Sequence, residues 1–224
     1  MRSYPETIPH AAAASGVAVN KVIRNTYMLL SMTLLFSAAM AGWAVVGHVR
    51  PMSWIVVMVG YFGLLFLTSA LRNSAWGLVS VFALTGFMGY TLGPVISMYL
   101  ALPNGSQIVM NALGGTGVIF LGLSAYALIS RKDFSFIAGF VMMGILVAFL
   151  AGIGAMVFNM PGLSLAVSAM FVLLMSGYIL YQTSELIHGG ETNYIMATVS
   201  LYVAIYNLFL SLLQLLAAFS GNNR

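Results

Sequence analysis

The chain reads as an all-α membrane protein with seven transmembrane helices, and three observations carry that reading. Of its 224 residues 61% are hydrophobic and only 5% are charged, with a mean hydropathy of +1.01, whereas an ordinary soluble domain carries about 25% charge. Seven apolar stretches of about twenty residues, the length that crosses a hydrocarbon core of about 30 Å, follow one another along the chain. Those stretches are uniformly apolar and lack the two-residue alternation of a membrane β-barrel, which leaves helices as the spanning structure.

The spans fall at residues 26–47, 53–70, 75–100, 107–129, 134–158, 163–187 and 195–220. Ahead of the first, residues 1–24 contain an alanine run, two prolines and Gly16 and read as a flexible cytoplasmic tail. The first apolar run exceeds a signal-peptide core of about 7–15 residues and six more spans follow, so it reads as a retained helix. His48-Val49-Arg50-Pro51 separates the first two spans, and Arg72-Asn73-Ser74 separates the second from the third. The next breaks are Pro103-Asn104-Gly105-Ser106, Arg131-Lys132-Asp133, Asn159-Met160-Pro161-Gly162 and His188-Gly189-Gly190-Glu191. Residues 25–220 thus form one transmembrane domain, followed by a short tail at 221–224. Arg2, Lys21, Arg24, Arg72, Arg131 and Lys132 lie on the N-terminal side, against Arg50 and Arg224 on the other. The positive-inside rule then puts the N-terminus in the cytoplasm and the C-terminus on the periplasmic side.

Polar and small residues inside the spans indicate packing faces. In the third, Gly89 and Gly93 form a GxxxG pair, with Gly86 one turn earlier and Pro94 following, so a neighbour is expected close to this helix. Tyr178, Gln182 and Glu185 share a face at the end of the sixth. In the seventh, Ser200, Ala204, Asn207, Ser211 and Gln214 fall on one narrow stripe. Polar groups in hydrocarbon need partners, which places this stripe against other helices or along an ion path, with the last helix inside the bundle.

The rest of the composition excludes more than it suggests. Four acids and eight basic residues give a net charge of +4, which reflects loop composition rather than a nucleic-acid surface. The absence of cysteine removes disulfides, thiolate metal sites and cysteine nucleophiles. Aspartyl intramembrane proteolysis needs two buried carboxylates sharing a proton, yet the only aspartate, Asp133, sits in a basic loop. Ser124 and Ser168 lie within spans, whereas His10, His48 and His188 fall in the tail and loops, so no serine–histidine pair is evident. No enzyme, cofactor or metal centre is expected; Glu185, His188 and Glu191 at one loop are the single weak cluster.

The stretch from Tyr181 through His188 to Tyr194, followed by Ala197-Thr-Val-Ser-Leu-Tyr-Val-Ala-Ile-Tyr-Asn-Leu-Phe209, resembles the signature of the Bax inhibitor-one family. Further matches are Arg24-Asn-Thr-Tyr27, Thr85-Gly-Phe-Met-Gly-Tyr-Thr-Leu-Gly-Pro94 and Arg131-Lys-Asp-Phe-Ser-Phe136. The resemblance implies a seven-helix bundle with the last helix at its centre. It also implies two functions. One branch of the family forms pH-sensitive calcium leaks gated by two aspartates, whose matching positions here are Gln182 and Ala204. An amide and a methyl group cannot share a proton, so Glu185, with Arg72 as its expected ion partner, is the remaining pH-sensing candidate beside Gln182, Ala204 and Asn207. The bacterial branch implies instead a modulator of the FtsH protease: a slowly degraded inner-membrane substrate engaged through its tail, in an assembly with HflK and HflC. On that reading Arg2, Tyr4 and Lys21 are the partner-binding candidates.

Overall fold

The computed structural model describes residues 9–221, with side chains from residue 18 onward. It contains α1 (Pro9–Val46), α2 (Trp54–Leu71), α3 (Trp76–Leu100), α4 (Gly105–Ser130), a 3₁₀ turn at Ser135–Ile137, α5 (Ala138–Val157), α6 (Pro161–His188) and α7 (Tyr194–Gly221). Among the described residues there is no strand. All seven helices are long and apolar enough to cross a membrane, from 18 residues in α2 to 29 in the Ala18–Val46 part of α1. At about 1.5 Å per residue even α2 reaches roughly 27 Å, close to the hydrocarbon thickness.

The helix boundaries follow the sequence to within a few residues, with two differences. Helix α1 begins at Pro9, so the part of the expected tail from residue 9 to 24 is helical; residues 1–8 lie outside the described residues. Lys21 and Arg24 end the apolar stretch but not the helix, because alanine and straight-chain basic residues are good helix formers in water. The fifth span is shortened at its start, where Asp133 Oδ1 accepts the Ser135 N–H at 2.8 Å and holds residues 135–137 in the tighter turn. Pro94 lies within α3 and does not end it.

Helix α7 packs against α1, α3, α4 and α6, while α2 rests mainly on α3 and α5 mainly on α6. Twelve α7 residues are buried, among them Leu201, Tyr202, Ala204 and Leu208. Leu30 of α1, Leu84 of α3 and Ile179 of α6 close around them. By contrast α2 and α5 are largely lipid-facing, with Phe66 and Phe140 exposed by 78% and 77%. In a bilayer, hydrocarbon outside replaces hydrocarbon inside at little gain, so close packing must hold the helices together. The α1–α3 interface illustrates how. A Cβ on Gly89 would overlap the Ser37 backbone carbonyl, and one on Gly93 would overlap Ala44. The glycines let two backbones approach where any side chain would hold them apart.

Candidate functional site

Three polar regions lie at different depths of the bundle. At one end the loops before α3, α5 and α7 are tied together by side chains. Asn193 caps α7: its Oδ1 accepts from the N–H groups of Ile195 at 3.0 Å and Met196 at 3.1 Å. Its Nδ2 donates to the Arg72 carbonyl at 3.0 Å and to Asn73 Oδ1 at 2.9 Å, which fastens the α2–α3 loop to the α6–α7 loop. Ser184 does the same for the loop before α5, accepting the Phe134 N–H at 3.0 Å and donating to the Lys132 carbonyl at 3.3 Å. Helix α6 ends on Gly189 at φ +77°, a left-handed residue suited to glycine. The Glu185 carboxylate folds back onto Gly190, where a Cβ would overlap it.

The charged candidates do not combine at this end. Glu185 is half-buried and Arg72 exposed, and no ion pair within 4.0 Å joins them; Arg72 meets the α6–α7 loop through its backbone. Its side chain is long and solvated, and the Asn193 amide already occupies the position between the loops. Among the described residues no three histidine or carboxylate side chains come together in the arrangement a metal ion would need. Hydrogen bonds from Ser135 hold the exposed Asp133 carboxyl below its usual range, with a smaller contribution from His188.

Deeper in, one hydroxyl joins three helices. Tyr202 OH of α7 lies 2.5 Å from Ser37 Oγ of α1 and donates to the Thr85 carbonyl of α3 at 3.3 Å. Nearby, Thr198 Oγ1 reaches the Thr26 carbonyl at 3.3 Å. Neither contact was legible beforehand: tyrosine and serine are ordinary residues of apolar helices, and nothing in their spacing says which helix each will meet.

The polar stripe of α7 divides along its length. Gln214 donates from Nε2 to Ser164 Oγ at 2.6 Å and accepts from Ser168 Oγ at 2.7 Å, locking α7 to the start of α6. Ser200, Ala204 and Asn207 instead line a cavity of about 550 Å³ bounded by α2, α3, α5, α6 and α7, together with Tyr61 and Tyr178. Gln182 is buried but does not line that cavity. The two positions that match the aspartate pair therefore sit in different surroundings, Ala204 on the cavity wall and Gln182 in the packed part of α6. No acidic or basic side chain lines the cavity. Its wall can hydrogen-bond but cannot change charge near neutral pH. Of the partner-binding candidates, Lys21 is exposed on α1, and Arg2 and Tyr4 lie outside the described residues.

Residues 19–221 match the family described as the inhibitor of apoptosis-promoting Bax1, Bax1-I. The chain is 53% identical over 214 residues to protein PA2604 of Pseudomonas aeruginosa, covering 96% of each chain. It is 50% identical over 200 residues to the modulator of FtsH protease YccA of Escherichia coli, covering 89% of this chain and 91% of that one. It is also 43% identical over 205 residues to a membrane protein of Vibrio cholerae, covering 91% of this chain and 92% of that one. A family match across almost the whole transmembrane region, with relatives this similar over nearly their full length, establishes that the chain belongs to the Bax1-I family.

Proposed function

We propose that this protein is an inner-membrane modulator of the FtsH protease, a substrate engaged through its N-terminal segment and degraded so slowly that it restrains the destruction of others. The observation that carries this is the 50% identity, over 89% of the chain, to a protein named as a modulator of that protease. The relative of the same name in a second E. coli strain, called an inner membrane protein, supports the location. An ATP-driven protease must first grip an end of the chain, and the sequence ahead of the first apolar span, Ala18–Val46, supplies one. Arg2, Tyr4 and Lys21 are the contacts proposed there, with the N-terminus in the cytoplasm and HflK and HflC as further members of the assembly. Slow degradation fits the glycine-mediated α1–α3 interface and the Tyr202 hydroxyl, both of which must yield before α1 leaves the bundle. A carboxylate-gated cation leak is the weaker reading, because no carboxylate lines the cavity and Gln182 and Ala204 occupy the gating positions.

The test is purification of the tagged protein from native membranes in mild detergent, with and without residues 2–19, alongside turnover in the cell. Tail-dependent recovery of FtsH, with slower turnover of the deletion, is expected. Recovery and turnover that ignore the deletion would move the contact into the membrane, and absence of FtsH from both preparations would overturn the reading.

A further inference from the structure

The cavity beside α7 has no part in the protease reading, and its shape selects what can enter it. It lies between α2 and α5, which rest on different helices, so the α7 face carrying Ser200, Val203, Asn207 and Leu210 is only half-buried and is reached from the side. Since α2 and α5 are lipid-facing along most of their length, the opening looks into hydrocarbon rather than water. Its occupant must therefore come from the bilayer.

Width decides between the occupants a bilayer offers. The α7 segment along the cavity, residues 196–210, rises about 21 Å at about 1.5 Å per residue. Spread over that length, the volume of about 550 Å³ in which the centre of a water molecule can move is about 6 Å wide, and a water radius of about 1.4 Å added on each side gives a passage roughly 9 Å across. A transmembrane helix with side chains needs about 10–12 Å. A single methylene chain, whose atoms meet their neighbours at about 4 Å, enters with room to spare. The wall has the matching chemistry: Met58, Phe62, Phe87 and Phe149 supply an apolar, adaptable lining. Tyr178 and Ser200 add two hydroxyls on the side of the α6–α7 loop, and Tyr61, Thr91 and Tyr206 add others deeper in, Thr91 donating to the Met88 carbonyl of its own helix at 3.0 Å. Asn207, at mid-depth, donates one of its two amide N–H groups to the Val203 carbonyl at 2.8 Å within its own helix.

We infer that this cleft binds one long acyl chain, entering sideways between α2 and α5, with its carbonyl or carboxyl end toward Tyr178 and Ser200. A phospholipid tail and a free fatty acid share that chemistry. The test distinguishes them with two probes, a phosphatidylethanolamine and a palmitic acid that each carry a diazirine on the chain. The purified full-length protein in nanodiscs is irradiated with either probe, and the adducts are mapped by peptide mass spectrometry. Adducts should concentrate on Met58, Phe62 and Phe149 beyond those on Leu35 and Ile129, which are lipid-facing outside the cleft and exposed by 73% and 83%. Val203→Trp, which fills the slot from a half-buried position, should abolish the cleft adducts and leave those on Leu35 and Ile129. Competition by unlabelled palmitic acid on the unmodified protein gives the same discrimination if that variant fails to fold. Labelling by the phospholipid probe assigns the source to a membrane lipid, and labelling by the acid probe alone assigns it to a free fatty acid. Adducts that merely follow exposure, with either probe, would overturn the inference, as would cleft residues crosslinking to a second copy of the chain.

Discussion

The Tyr202 hydroxyl serves two partners at once, and their unequal roles can be separated. Tyr202→Phe removes both the Ser37 bond and the Thr85 bond, at a cost of about 1 kcal/mol, since interhelical hydrogen bonds in membranes average about 0.6 and reach about 1.7. Ser37→Ala should cost less, about 0.5 kcal/mol, because the hydroxyl keeps its carbonyl acceptor. Reversible unfolding in mixed micelles would measure both, and the double variant should fall short of their sum. At Asp133 the folded carboxyl titrates below the unfolded one, so its contribution to the turn at 135–137 is complete above about pH 4 and is lost as pH falls through the depressed value. Hydrogen-exchange protection of the Ser135 amide should decline on acidification, and Asp133→Asn should remove that pH dependence.

Helix interfaces give a sharper contrast, because two glycines of similar sequence context face opposite situations. A methyl group on Gly89 of α3 meets the Ser37 backbone, which cannot move aside, whereas one on Gly117 of α4 meets nothing within 4 Å. Gly89→Ala should destabilise by about 1–3 kcal/mol, and Gly117→Ala should be neutral or stabilise by about 0.5 kcal/mol. Thermal aggregation in detergent, followed by chromatography, would rank the two. The third-span glycine pattern disclosed that something comes close, but not that α1 is the neighbour. The α7 stripe was legible in the same partial way. A period of 3.6 residues puts Ser200, Asn207 and Gln214 on one side of their own helix. It does not say that Gln214 will be met by Ser164 and Ser168 while Ser200 and Asn207 are left along a cleft.

Across the whole molecule, hydropathy located every span because the bilayer imposes a length on each one independently of its neighbours. The ties that close the loop end were hidden for the complementary reason. Asn193 and Arg72 are 121 positions apart in the chain, and only the assembled bundle brings them together. The orientation implied by the basic residues is open to direct measurement, since the chain contains no cysteine. Ser74→Cys in the α2–α3 loop and Ser106→Cys in the first turn of α4, both exposed and at opposite ends of α3, should label from opposite sides of the membrane. In intact cells, an impermeant maleimide should reach only Cys introduced at 106.

Helices α1 and α3 run in the same direction, since each follows an even number of crossings, and their seam extends from Phe36 beside Gly86 to Ala44 beside Gly93. A pull on the N-terminal end of α1 therefore acts along this joint instead of prying it open. Every contact in the seam takes the load together, as in a lapped seam under tension, and none can be peeled away first. The same contacts would give way one after another if α1 were drawn off sideways, so resistance to being unthreaded is a property of direction and can be high in a bundle of ordinary thermal stability.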